Sequence, residues 1–159
     1  MTDLTPGLDA RWNHVVRELH EAEKKAGRSA GDVTLLAVGK TFSAEALFEC
    51  AKLGARAFGE NYAQEGCSKV DWFREHHPEL ALKWHFIGPL QANKTRGVAE
   101  RFDWVQSIDR ERIARRLSEQ RPEDLPPLNL LIEVNIDGEE SKSGVQPDAL
   151  EALAAEIEK

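Results

Sequence analysis

The chain has 159 residues, about one domain's worth, and its 41% hydrophobic content is enough for a packed core. A formal net charge of −7 argues against nucleic acid as the main partner, because phosphate backbones select basic faces. No apolar run approaches the ~20 residues needed to span a bilayer, and the opening Met1 to Gly7 has neither the basic nor the apolar region of a secretory leader.

Leu8 to Ala26 has an amphipathic helical pattern, with Trp12, Val15, Val16, Leu19 and Ala22 on one face, and Gly27 stops it. Val33 to Val38 is a short apolar run read as the first strand, followed by Gly39 and Lys40. Ser43 can cap a helix running to about Leu53, and Gly54 ends it. Arg56 to Gly59 is a brief second strand, after which Asn61 opens a helix to about Glu75. Lys83 to Ile87 is strand three and Asn93 to Arg101 the next helix. Trp104 to Ile108 is strand four, with Asp109 as N-cap of a helix ending near Gln120. Pro122, Pro126 and Pro127 mark a loop. Leu128 to Asn135 is the fifth strand, and Pro147 leads into a last helix, Asp148 to Glu158. Cys50 and Cys67 fall in helical patterns without metal-ligand spacing, and two thiols make no disulfide framework, which points to a reducing, cytoplasmic setting.

A helix followed by five βα units implies an α/β fold with a parallel sheet and right-handed crossovers. A doubly wound sheet and a TIM barrel both fit this pattern. The chain has no Gly-x-Gly-x-x-Gly after the first strand and no Gly-Lys-Ser/Thr phosphate loop. Five units are too few for an eight-stranded barrel, which takes ~250 residues.

Polar residues gather at or near the C-terminal ends of the strands: Lys40, Glu60 with Asn61, Gln106 with Ser107, and Asn135 with Asp137. That rim is where parallel α/β folds bind ligands. If Lys40 points into a barrel, Val38 and Leu36 fill the interior below it. Glu133 and Asn135 share a parity, and the cost of a carboxylate beneath a helix assigns both to the interior. A lysine amine lowered in pKa by partial burial can condense with an aldehyde. Each residue also has a plain structural explanation. Lys40 could be a surface lysine, Asn61 with Gln64 a capping box, and His85 a core imidazole between Trp84 and Phe86. Ser141 to Gly144 could be a solvated loop, and the adjacent pair His76 and His77 is a poor metal pair on a helix.

Four segments occur in order: Leu35-Leu36-Ala37-Val38-Gly39-Lys40-Thr41, Phe58-Gly59-Glu60-Asn61-Tyr62-Ala63-Gln64-Glu65, Trp84-His85-Phe86-Ile87-Gly88-Pro89-Leu90-Gln91-Ala92-Asn93-Lys94, and Val134-Asn135-Ile136 through Glu139-Glu140-Ser141-Lys142-Ser143-Gly144. With them the chain resembles the YggS/PROSC family of pyridoxal 5′-phosphate (PLP) homeostasis proteins, from about Leu8 to the last residue. The resemblance implies a (β/α)8 TIM barrel of PLP fold type III, like the alanine racemase barrel without its second domain. It implies PLP held as a Schiff base on Lys40, with Asn61 beside the cofactor and Val38 and His85 completing the expected cofactor-binding set. It further implies a non-catalytic carrier or buffer in vitamin B6 homeostasis, with apo PLP-dependent enzymes as partners and no established turnover.

The departures from the family are Gly39, where members usually have serine and where glycine is expected to loosen the backbone, and Phe42, where a polar residue is more common. Members continue through three more βα units, so the 159 residues are expected to form a single, incomplete barrel domain without the phosphate-binding loops. Exposed sheet edges then favour self-association. Two other functions fit less of the sequence. An amino-acid racemase needs a second base opposite the lysine, and Tyr62 is the one tyrosine here. A phosphometabolite-binding barrel would use Lys40 without a covalent bond.

Overall fold

The computed structural model describes residues 6–158; Met1 to Thr5, on which most of the leader reading rests, and Lys159 lie outside the described residues. Alternating apolar segments fold into six α-helices and five strands: α1 (Leu8–Lys25), β1 (Ala37–Val38), α2 (Ala44–Lys52), β2 (Ala57–Glu60), α3 (Ala63–His76), β3 (Lys83–Phe86), α4 (Thr95–Arg101), β4 (Trp104–Ile108), α5 (Glu111–Gln120), β5 (Asn129–Ile132) and α6 (Leu150–Ile157). Short 3-10 turns precede α4 and α6.

The sheet order is β1-β2-β3-β4-β5, with every pairing parallel. Strand order follows chain order without reversal. A doubly wound sheet reverses at a switch point, whereas a barrel winds one way. The α/β reading is borne out, and of the two topologies left open the singly wound one is present.

The register separates the two faces. Phe58 lies opposite Trp84, Glu60 opposite Phe86, and Phe86 opposite Val105. This row faces the helices, where Phe58, Trp84, Phe86 and Val105 are buried in the core with Phe73, Val98, Phe102, Ile113 and Leu117. Complete burial of such side chains stabilises each by about 1.5–3 kcal/mol relative to exposure. The other row, Val38, Gly59, His85, Trp104 and Asn129, forms the inner face. That face is open: Val38 is 46% and Leu131 45% exposed.

Several boundaries differ from the sequence expectation for identifiable reasons. Strand β1 is two residues long because the Val33 and Gly31 amides donate to the buried Glu23 carboxylate instead of to a neighbouring strand. In β4, Val105 to Ile108 spans three steps against two from Leu130 to Ile132, a bulge that inserts one residue beside Gln106. Ser43 caps α2, its hydroxyl accepting from the Ala46 amide, as expected. Asp109 does not cap α5; Arg110 holds that position without a side-chain hydrogen bond. Among the described residues no helix is long and apolar enough to cross a membrane.

Candidate functional site

The backbone ladder continues past the strand ends and sets the rim. The Gly39 amide donates to the Gly59 carbonyl at 2.8 Å, and the Ile87 amide donates to the Glu60 carbonyl at 2.9 Å. Strand alternation therefore carries Lys40 and Asn61 to the inner face, one level above Val38, Gly59 and His85. Four residues singled out from the sequence, Lys40, Asn61, Val38 and His85, thus lie on three adjacent strands or their ends.

Lys40 is exposed, not partly buried as the sequence suggested. Its side chain makes no hydrogen bond or ion pair among the described residues. The turn that carries it is held from behind. Thr41 has φ 69°, a left-handed conformation that is costly for a β-branched residue, on the order of 1–3 kcal/mol. The Glu65 Oε1 atom accepts from the Thr41 amide at 2.8 Å. Lys69 donates to the Gly39 carbonyl at 2.7 Å, to Glu60 Oε1 at 2.9 Å and to Glu65 Oε1 at 2.6 Å. The Glu60 side chain is 0% and Lys69 6% exposed. Burial pushes the Glu60 carboxyl above its ordinary value, and the Lys69 ammonium opposes that rise.

This cluster escaped the sequence reading, although a signal for Lys69 was present. Gly66, Lys69, Val70 and Phe73 form the buried stripe of α3, so a lysine stands where the helical period calls for an apolar residue. Glu60 lies beneath a helix, the placement that was judged too costly for Glu133. Pairing with Lys69 makes it tolerable.

Gly39 is not a loose point. A Cβ there would meet Glu60 Oε1 at 2.5 Å and Leu47 Cδ2 at 2.6 Å, so neighbouring side chains already occupy the space. Asn61 does not cap α3, whose N-cap position is Tyr62. Its Oδ1 atom is buried without a hydrogen-bond partner. Buried amide oxygens rarely go unsatisfied, so this one marks a place for a donor.

His85 accepts at Nδ1 from the Gln106 amide nitrogen at 3.0 Å and stacks on Trp104, ring centroids 5.5 Å apart and planes 3° from parallel. Burial lowers its pKa below the ordinary 6.5, with Asp103 opposing. The unfolded chain therefore takes up a proton first as pH falls, and stability drops from about pH 6.5 down through the lowered folded-state value. His85→Phe keeps the stack and removes the titration. Urea denaturation from pH 7.5 to 5 is expected to show a wild-type-minus-variant difference that shrinks on acidification. Parallel curves would refute it.

Asn135 is buried, but its side-chain amide donates to the Glu139 carbonyl within the loop after β5. A cleft of about 870 Å3 lies between α5, the loop after it and α6, away from Lys40. Volume therefore does not locate the site; the strand-end chemistry does.

Residues 14–159 match the alanine racemase N-terminal domain family. The chain belongs to this family. It is 59% identical over 141 residues to the pyridoxal phosphate homeostasis protein of Vibrio cholerae, covering 89% of this chain and 60% of that protein. Its fold is similar to that of an unknown protein from Bifidobacterium adolescentis, with TM-score 0.83 and 31% identity over 94% of this chain and 63% of that one. It is also similar to PipY of Synechococcus elongatus with PLP bound, with TM-score 0.65 and 27% identity over 91% of this chain and 64% of that one. The resemblance read from the four motifs is thereby borne out. As a member of the alanine racemase N-terminal family, the chain spans about 60% of the length of the curated relatives it matches.

Proposed function

We propose that this chain binds PLP as a Schiff base on Lys40 and serves as a non-catalytic carrier or buffer in cytoplasmic vitamin B6 homeostasis. The observation that carries the reading is Lys40 itself: an unpartnered, exposed amine on a turn whose backbone is fixed on both sides. Relatives named for pyridoxal phosphate homeostasis and the PLP bound in PipY support the same ligand. PLP supplies an aldehyde, which condenses with a primary amine and releases water. Lys40 provides the amine. Val38 provides an apolar floor below it, Asn61 an unsatisfied amide oxygen beside it, and His85 a neutral imidazole oriented by Gln106. Release of the cofactor to an apo PLP-dependent enzyme would follow by exchange of one amine for another. On this reading the five strands are part of a single eight-stranded barrel, and the open edges of β1 and β5 favour self-association, which sedimentation over a concentration range tests.

The deciding experiment is to mix the chain with PLP, reduce with borohydride and map the adduct by mass spectrometry. A visible imine band and a pyridoxyl group on Lys40, lost in Lys40→Ala, is the expected result. Label scattered over many lysines, or none, would refute Lys40 as the attachment point. Tight binding without a reducible bond would favour a phosphate-binding barrel instead. Racemisation of alanine would revive the enzyme alternative.

A further inference from the structure

We propose that Lys69, Glu60 and Glu65 form a positioning cluster that clamps the Lys40–Thr41 turn and thereby sets where the Lys40 amine stands. The inference rests on the reading of Lys40 as the PLP-bearing residue and assigns the residues that present it.

The clamp grips the backbone on either side of one residue. Behind Lys40, the Gly39 carbonyl accepts from Lys69 Nζ at 2.7 Å and from the Phe42 amide at 3.1 Å. Ahead of it, the Thr41 amide donates to Glu65 Oε1 at 2.8 Å. The same oxygen accepts from Lys69 at 2.6 Å, so both grips share one ion pair. Glu60 fixes the far side of the ammonium, and its Oε1 atom occupies the space that a side chain at Gly39 would take. The lysine side chain itself is untouched by any of this, so everything that orients it acts through the main chain.

A buried ion cluster is weak evidence of a purely stabilising role, because apolar residues of similar volume often serve stability as well or better. Here the charges do something apolar residues cannot. They satisfy a carbonyl and an amide on opposite sides of a residue, and they hold Thr41 in a left-handed conformation that its side chain disfavours. A strained turn that is held at two points has one geometry, and a nucleophile carried on it has one starting position.

The test uses Glu65, one-third exposed and therefore replaceable without opening the core. Glu65→Leu removes the acceptor, whereas Glu65→Gln retains one. Amide hydrogen exchange reads the clamp without any ligand: Thr41 is expected to exchange about tenfold faster or more in Glu65→Leu, the loss expected for a charge-assisted hydrogen bond. Glu65→Gln should recover most of that protection, and core amides in β3 should be unchanged in both. Borohydride labelling with PLP reads the consequence: the share of pyridoxyl label on Lys40, against all other lysines, should fall in Glu65→Leu and return in Glu65→Gln. A merely structural role would lower the melting temperature without changing which lysine is labelled. Unchanged Thr41 exchange, or unchanged Lys40 selectivity in Glu65→Leu, overturns the proposal. A wild-type chain that takes no label on Lys40 would refute the PLP reading, while Thr41 exchange still decides whether the clamp exists.

Discussion

Lys69→Met is expected to destabilise the chain by about 3–5 kcal/mol at neutral pH, the usual cost of removing one partner from a buried ion pair. The methionine fills much of the space left by the lysine stem, so loss of packing is minor. The cost lies in what is left behind. Glu60, 0% exposed, loses its cation, and its Oε2 atom already lacks a hydrogen-bond partner. The Gly39 carbonyl loses its donor at 2.7 Å. The deficit should depend on pH in a defined direction. Burial raises the Glu60 pKa above 4.5 in the wild type, and removing Lys69 removes the opposing influence and raises it further. The folded variant therefore holds a proton that the unfolded chain gives up. Its deficit shrinks as pH falls through the folded-state value toward 4.5, and is full above it. Urea denaturation at pH 7.5 and pH 5 reads both quantities. Lys52→Met, which breaks the exposed pair with Glu49, is the control and should cost about 0–1 kcal/mol. A deficit for Lys69→Met no larger than that of the control, or one unaffected by pH, would show that Glu60 is not held as a buried charge.

The contrast between Lys40 and Lys69 shows which parts of the site the sequence could carry. Lys40 follows an apolar run and precedes a helix cap, a position that topology alone places on the ligand-binding rim. The succession of helices and strands and the Ser43 cap were legible for the same reason: periodicity and capping are local. The stripe read on α1 holds for Trp12, Val16 and Leu19, whereas Val15 and Ala22 are exposed and Glu23 is the buried residue. Lys69 is nine residues from Glu60 and thirty from Gly39, and no local pattern joins them. Its spacing from Glu65 matches an ordinary surface ion pair. What distinguishes it is its place in the buried stripe of α3, a helical-period signal that singles out the residue but not the partners it meets. The length of β1 was misread for a related reason. Val33 to Leu36 has strand composition, but Glu23 from α1 takes the Val33 amide, a contact ten residues apart that composition does not encode. Asn61 went the other way: its spacing from Gln64 fits a capping box, but no such box forms, because α3 begins at Ala63 with Tyr62 at the N-cap position. Local propensity proposes a cap; in the fold Gly88, just past β3, approaches the Asn61 backbone closely.

That approach gives the second large effect. Gly88→Ala is expected to cost about 3 kcal/mol, the upper part of the range for overpacking, because the obstruction is main chain. A Cβ on Gly88 would overlap the Asn61 carbonyl oxygen and lie 2.8 Å from both the carbonyl carbon and the Cα of Asn61. Side chains can rotate away from such a contact, but these atoms are tied to β3 by the hydrogen bond from the Ile87 amide to the Glu60 carbonyl at 2.9 Å. Relief therefore requires the ends of β2 and β3 to part, which moves Asn61 relative to Lys40. Two readouts should change together: the urea midpoint falls, and PLP affinity falls by about tenfold for each 1.4 kcal/mol of site geometry lost. Gly97→Ala is the matched control. It lies inside α4, where a Cβ meets the Cys67 sulfur at 3.1 Å and alanine is the better helix former by about 1 kcal/mol. It should leave stability near or above the wild-type value and PLP binding intact. If Gly88→Ala matches Gly97→Ala in both measurements, β2 and β3 are not held in contact at the rim, and Asn61 is not positioned by β3.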